Sequence, residues 1–430
     1  MIKQDPKAGL DRRQEDLHLK KYDFLTLDDV ETRDKRVFLR VDINVPLDPS
    51  THQILDDTRI KAISKTLSEL DEARVTLGSH QSRPGKDDFT SLEPHANLLA
   101  QYCSQQIKFV EDVIGPHAVQ KITKVQPGEI LVLDNLRFCA EENIDDKREK
   151  LVKTHFVRRL APLFDLYVDD AFATAHRSQP SIAGLPELLP SAAGRLMEKE
   201  LDAVSTLLEE PKRPCVYSLG GSKVEDKIPV IENILAREKA DKILLGGVPA
   251  KLFLRATEIK TKINDEEIHD FKQFLDRATK LTQKYGDHIE VPLDLAYEDE
   301  QGKRVDQPVN SPHVEEEALD IGSKTLEKYS RIVRGAATTV ANGPLGVFER
   351  NGFDKGTKEL LESMAKSNGY TVIGGGHLVG LASIQGIEER FSHVSTAGGA
   401  MLSLLSGQSL PGVDALVRAA NRMRTANPPA

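Results

Sequence analysis

Cysteine is scarce in this chain: 430 residues hold only Cys103, Cys139 and Cys215, far apart and odd in number. No Cys-x-x-Cys pair and no cysteine–histidine spacing suited to zinc occurs. A disulfide framework and a zinc site are therefore excluded as organising features, and buried reduced thiols are expected. Long apolar runs are missing too. No stretch approaches the roughly 18 apolar residues of a membrane span, and the opening MIKQDPKAGLDRRQEDLHLKK is charged throughout, without the apolar segment of an export signal. These absences point to the cytoplasm. An excess of positive charge is also absent. The formal net charge is −9, so neither nucleic acid nor an anionic membrane is an expected partner, and any anionic ligand needs a local basic cluster. No Walker A sequence, tandem repeat or low-complexity tract appears.

What is present is a globular composition, 39% hydrophobic and 29% charged. The length exceeds what one hydrophobic core normally serves. Short β-branched runs alternate with helical stretches. The first set of strand-like runs is Val37–Val41, Val75–Leu77, Ile130–Leu133 and Leu166–Val168, with helical stretches Ile60–Leu70, Leu92–Cys103 and Lys147–Leu160 between them. The second set is Pro214–Ser218, Lys242–Leu245, His288–Val291, Thr338–Ala341 and Tyr370–Ile373, with Val224–Ala236, Phe271–Lys284 and Lys355–Ser367 as helices. Such alternation indicates an α/β protein with two doubly wound, mostly parallel, Rossmann-like sheets.

Between the sets, Gly194–Glu209 places Leu196, Met197, Leu201, Val204 and Leu208 at amphipathic spacing and is closed by Pro211 and Pro214. It reads as an interdomain helix and hinge. The expected domains are 1–193, the bridge 194–209, 210–410, and a basic tail 411–430 returning to the first domain. Glu298–Pro312 reads as a polar surface excursion, and the N-terminal lead-in as a flexible terminus.

Four arginines in the first half stand at or near strand ends: Arg59 after Asp56-Asp57-Thr58, Arg83 in Ser79-His80-Gln81-Ser82-Arg83-Pro84, Arg137 after Asn135-Leu136, and Arg177 after His176. Open parallel sheets bind ligands outside the carboxyl ends of their strands. Forked guanidiniums converging there suit a small molecule carrying phosphate and carboxylate, although any one of them alone reads more often as a surface ion-pair partner. Asp42 and Asn44 end another strand and offer hydroxyl-binding groups, or a capped turn before Pro46.

In the second half, Gly220-Gly221-Ser222-Lys223-Val224-Glu225-Asp226-Lys227 follows a strand. Glycines let backbone N–H groups approach phosphates, and two lysines four apart supply charge to a polyphosphate. Two more glycine turns follow strands, at Asn342-Gly343-Pro344 and Gly374-Gly375-Gly376-His377. The latter nearly matches a dinucleotide fingerprint, but its third glycine, Gly380, is misplaced.

The segments RVDINVP, DDTRI, SHQSRP, NLRF, DDAFATAHR, LPSAAG, GGSKVEDKI, NGPLGVFE, GGG and FSHVSTAGGA, taken in order, resemble phosphoglycerate kinases of the archaeal branch from about Leu25 to Leu416. The resemblance implies that 1–193 binds 3-phosphoglycerate through Asp42, Asn44, Arg59, His80, Arg83, Arg137 and Arg177. It implies that 210–410 binds ATP or ADP through Gly220, Gly221, Lys223, Lys227, Asn342, Glu349, Gly374, Gly375, Gly376 and His377. Arg59, Lys223, Gly375 and Gly376 would surround the transferring phosphoryl group.

Mg²⁺ is the implied companion of the nucleotide, but its protein ligands are unknown here. His377 stands where relatives have an aspartate, and an imidazole is a poor magnesium ligand; its alternative reading is a helix-start residue facing phosphate. Ser82 stands where relatives usually have glycine, implying a change in loop geometry. A monomer is expected, with a dimer as the alternative. No general base is needed, because the acceptor is already a carboxylate. Two rival readings, a nucleotide-dependent oxidoreductase and a non-catalytic anion-binding protein, lack respectively a proper fingerprint and an explanation for the glycine–lysine loop.

Overall fold

The computed structural model describes residues 23–263, 268–311 and 316–426. Most of the N-terminal lead-in, Pro312 and the closing Asn-Pro-Pro-Ala lie outside them. The chain forms two compact units. The first runs to Leu201 and takes in the chain again from Ser409; the second is Asp202–Gln408. The dividing point falls inside a helix.

In the first unit the strands are β1 (Arg36–Val41), β2 (Arg74–Gly78), β3 (Gln106–Val110), β4 (Glu129–Leu133), β5 (Leu166–Asp170) and β6 (Ser191–Ala193). They form a parallel sheet in the order β3-β4-β2-β1-β5-β6. The helices are α1 (Thr58–Ala62), α2 (Ser64–Ser68), α3 (Glu93–Leu99), α4 (Pro116–Ile122), α5 (Arg148–Leu151) and α6 (His155–Leu160), followed by α7 (Arg195–Leu208). Alternate residues of β1 serve opposite faces, as a pleated strand requires. Val37, Leu39 and Val41 pack with Ile60, Ile63 and Leu67; Phe38 packs with Tyr167, Phe156 and Leu160.

The second unit has β7 (Cys215–Leu219), β8 (Lys242–Leu245), β9 (Ile289–Glu290), β10 (Asp294–Glu298), β11 (Arg304–Pro308), β12 (Asp320–Ile321), β13 (Thr338–Asn342), β14 (Tyr370–Gly374) and β15 (His393–Ser395). Its main sheet, β15-β14-β13-β7-β8-β9, is parallel. A small antiparallel sheet, β11-β10-β12, stands beside it. The helices are α8 (Val224–Ala236), α9 (Gly247–Ala256), α10 (Phe271–Tyr285), α11 (Ser323–Arg334), α12 (Lys355–Ala365), α13 (Gly376–Ile384) and α14 (Gly398–Leu405). The last helix, α15 (Pro411–Ala426), packs in the first unit, where Gly412 N donates to Ala175 O at 2.9 Å and Arg418 pairs with Glu187 at 2.6 Å.

Several local expectations need correction. Glu298–Pro312 is not a mere excursion: within it Arg304–Pro308 pairs with β10. Its polar residues disguise a short strand at the sheet margin. Lys147–Leu160 splits in two because the Thr154 hydroxyl caps a new helix at Val157 N. β3 escapes sequence reading because Gln106 and Lys108 alternate with apolar residues at the sheet edge. Cys215 is buried, but Cys103 and Cys139 are only partly so.

Gly194 connects β6 to α7 at a point with no room for a side chain. A Cβ there would lie 2.3 Å from Asp170 Oδ1, the oxygen that accepts hydrogen bonds from Leu196 N and Met197 N at the start of α7. Gly194→Ala is therefore expected to cost about 2–4 kcal/mol, through displacement of a buried hydrogen-bonded carboxylate. Gly286→Ala, where a Cβ meets nothing within 4 Å, should change little. Urea unfolding midpoints check both.

Candidate active site

β1 carries a cation where a parallel strand buried on both faces should be apolar. Arg40 is fully buried; its Nε donates to Ser181 Oγ at 2.8 Å, and its guanidinium also bonds Val41 O. Nearby Glu142, also fully buried, accepts from Ser181 N at 3.0 Å. Arg40 Nη2 lies 3.4 Å from His80 Nδ1. A guanidinium has only donors, so Nδ1 of His80 is the acceptor and the ring is neutral. Burial, then the charges of Arg40, Arg137, Arg177 and Arg59, hold that imidazole well below its ordinary pKa.

The other predicted groups gather around this pair. Asp42 binds Arg59 Nη1 at 2.7 Å, and the same nitrogen donates to Asn44 O at 2.9 Å. Asn44 Oδ1 accepts from Ser82 N at 2.9 Å. Arg137 is buried and donates to Ser82 O. Burial, followed by Arg177 and Arg40, pushes its pKa down to about 10. Arg177 is lowered by burial, with Asp42 opposing and Arg83 and Arg40 adding to the fall. Arg83, Arg137 and Arg177, three of the arginines expected at the strand ends, thus share one field, and Arg59 joins Arg137 and Arg177 in acting on His80. Arg40, which shares this field, was visible as a charge inside an apolar run but carried no assigned role. Ser82 adopts φ +55°, the left-handed region that glycine tolerates best. Its hydroxyl anchors the turn on Asp88 Oδ1 at 2.6 Å. Beneath, Gln81 ties the loops together: its amide bonds Val45 N at 3.1 Å and Val45 O at 3.0 Å.

In the second unit the glycine turns after β7, β8 and β13 pack backbone against backbone. Gly220 N donates to Asn342 O at 3.0 Å, Gly221 N to Pro344 O at 2.7 Å and Gly247 N to Leu345 O at 2.9 Å. A Cβ on Gly220 would sit 2.1 Å from Pro344 O. Close packing therefore leaves Gly220 no room for a Cβ, the N–H groups of Gly220 and Gly221 are both engaged, and Gly221 also lines a neighbouring cavity. Lys223 precedes α8 and is exposed, whereas Lys227 is buried with its ammonium bonded to Asn342 Oδ1. Asn342 is itself buried, and its Nδ2 has no hydrogen-bond partner among the described residues. That nitrogen lies 3.4–3.6 Å from where Cβ atoms of Gly374 and Gly375 would stand. Gly375 turns the chain with φ +97°, and Gly376 begins α13, whose first N–H groups have no acceptor within the helix. The Ser395–Gly399 turn, given no role by sequence reading, meets the same place: a Cβ on Gly398 would be 2.6 Å from Gly375 N.

Next to these turns lies a cavity of about 210 Å³. Val248, Leu295, Leu319 and Phe348 give it apolar walls, and Glu349 and His377 line it as well. His377 packs on Phe348 with ring centroids 4.9 Å apart. Among the described residues no group of three or more His, Cys, Asp or Glu side chains is arranged to hold a metal ion, and no helix is long and apolar enough to cross a membrane.

Residues 27–408 match the family model described as phosphoglycerate kinase. The chain belongs to the phosphoglycerate kinase family. It is 43% identical over 407 residues to the phosphoglycerate kinase of Methanothermus fervidus, covering 93% of this chain and 98% of the relative. It is 45% identical over 404 residues to that of Methanothermobacter thermautotrophicus, covering 92% and 97%. The crystal structure of phosphoglycerate kinase from Pyrococcus horikoshii superposes with a TM-score of 0.84 at 38% identity, covering 93% of this chain and 99% of that one. The structure from Coxiella burnetii gives 0.75 at 34%, covering 92% and 100%.

The burial of Lys227 has a measurable consequence. Burial pushes its pKa down to about 8, and an arriving polyanion restores the charged form. Binding of inorganic pyrophosphate should therefore take up a proton above about pH 8, and affinity should fall as pH rises past that value. Calorimetry in buffers of different ionisation enthalpy reads the uptake. Lys227→Arg, which stays charged, should abolish it.

Proposed function

We propose that this chain catalyses the reversible transfer of a phosphoryl group between ATP and the carboxylate of 3-phosphoglycerate, giving ADP and 1,3-bisphosphoglycerate, a step of glycolysis and gluconeogenesis. One observation carries the assignment of sites. The first unit concentrates Arg40, Arg59, Arg83, Arg137, Arg177 and a neutral His80 at its strand ends, and the second supplies lysines, glycine turns and a cavity of nucleoside size. In this reading Asp42, Asn44, Arg59, His80, Arg83, Arg137 and Arg177 bind 3-phosphoglycerate. Lys223, Lys227, Asn342, Gly374, Gly375 and Gly376 face the nucleotide phosphates, Glu349 the ribose, and Gly220 and Gly221 shape the loop.

The chemistry asks for in-line positioning and charge neutralisation more than for covalent participation. A carboxylate acceptor needs no base, and His80, held neutral, serves as a hydrogen-bonding group. Arg59, fixed by Asp42 and Asn44, and the exposed Lys223 neutralise the equatorial oxygens of the transferring group. Glu225 and Asp226 follow close on Lys223, but no group of three or more His, Cys, Asp or Glu side chains among the described residues is arranged to hold a magnesium ion. The ion enters as part of the nucleotide, held by phosphate oxygens and water.

A coupled assay for ADP formation should show activity strictly dependent on 3-phosphoglycerate; activity without it would overturn the assignment. Arg59→Ala and Lys223→Ala should each lower turnover by about 10²-fold or more, and near-normal turnover in both would remove their role. Donor and acceptor must also meet, so we propose hinge motion at α7 and its flanking loops, in the cytoplasm and within a monomer. The radius of gyration from small-angle scattering should fall when both substrates are bound. An unchanged value would refute closure.

A further inference from the structure

The β10–β11 hairpin contributes to the nucleoside cavity from an unexpected direction. Leu295 on β10 lines the cavity. Ala296 O accepts from Leu319 N at 2.8 Å, and Leu319 O in turn accepts from Val347 N at 2.7 Å. Two segments of cavity wall, Glu317–Ile321 and Pro344–Glu349, are thereby strung from the hairpin by backbone hydrogen bonds. Arg350, just past the second segment, pairs with Glu298 at the end of β10.

Arg304, on β11, does not line the cavity, yet it grips the first segment and the chain just past the second. Its Nη1 donates to Asp320 Oδ2 at 2.8 Å and to Gly352 O at 2.9 Å. Its Nη2 donates to Ile321 O at 2.6 Å, and its Nε donates to Asp306 Oδ1 at 2.9 Å. The guanidinium carbon lies 5.9 Å from the Phe353 ring centroid. Asp320 has no exposed side-chain surface; besides Arg304 its carboxylate accepts from Gly356 N at 2.8 Å and Ile321 N at 2.9 Å. Removing the guanidinium would leave that carboxylate buried without its cation, so the wall around it must rearrange. A planar fork meets carbonyls and a carboxylate at fixed angles, which an ammonium cannot reproduce.

We infer that Arg304 is a positioning residue for nucleotide recognition: by bonding Asp320 and Ile321 on one wall and Gly352 beyond the other, it sets the width of the nucleoside cavity. The inference rests on reading that cavity as the nucleoside site. It involves no contact between Arg304 and the nucleotide.

Calorimetric titration with MgADP, together with steady-state kinetics, tests it. Arg304→Met should weaken MgADP binding ~10-fold or more, because the wall loses its fixed spacing. Arg304→Lys should fall between, keeping the charge beside Asp320 but losing the reach to Ile321 and Gly352. In both, the KM for 3-phosphoglycerate and kcat at saturating nucleotide should stay within about twofold of wild type, a split that general loss of structure would not produce. Gln301→Ala, at the exposed hairpin tip, should bind as wild type. Wild-type affinity in Arg304→Lys overturns the inference, and this variant decides the matter if Arg304→Met fails to fold. A parallel rise in both KM values with a fall in kcat also overturns it. A wild-type chain that does not bind MgADP overturns the nucleoside reading and this inference together.

Discussion

Parallel strands deliver all their carboxyl ends to one edge, and that constraint governs both candidate sites. In the first unit β1, β2, β4 and β5 run in the same direction, so the loops bearing Asp42, His80, Arg137 and Arg177 emerge together although they are far apart in sequence. In the second unit β7, β8, β13 and β14 do the same for Lys223, Gly247, Asn342 and Gly374. Three of the mutually repelling guanidiniums in the first unit have local anchors. Arg40 is held with Ser181 beside Glu142, Arg59 by Asp42, and Arg137 by Ser82 O. Such a preset field suits an anion that arrives later, since little reorganisation is needed when it binds.

The two units solve the same problem with different chemistry. The first spends side chains: guanidiniums, an amide that ties two loops at Val45, and a histidine kept neutral by burial and by its cationic neighbours. The second spends backbone. Gly220, Gly343 and Gly247 pack so closely that a Cβ on any of them would lie within about 2.5 Å of a neighbouring main-chain atom. The turn after β14 is thereby left as the place where a helix N-terminus and Asn342 Nδ2, without a partner among the described residues, come together. Lys227, buried beside Asn342, is the cation held under that turn.

The alternation of strands and helices was legible because its periodicity is local, and the strongest runs, such as Val37–Val41 and Val224–Ala236, lie where the pattern puts them. Edge elements were not. β3 and β11 face neighbours on one side only, so their polar residues match no buried-strand pattern. Arginine positions were legible from their place after apolar runs. Arg40 was passed over because a charge within a strand looks like an interruption of the core until Ser181, Glu142 and His80 are seen around it. Gly220 and Gly221 were legible as points of close approach, but their packing against Asn342 O and Pro344 O was not, because those partners lie more than a hundred residues away.

Residue order alone determined two doubly wound α/β sheets, the family, and a set of charged and glycine-rich turns following the strands, because periodicity and motif spacing are properties of neighbouring residues. Only the tertiary structure decided which N–H groups are already used, which cations are buried, and that the β10–β11 hairpin braces the cavity wall through Arg304. Those outcomes depend on partners distant along the chain, such as Arg304 and Gly352 or Lys227 and Asn342, whose approach is fixed by packing and desolvation.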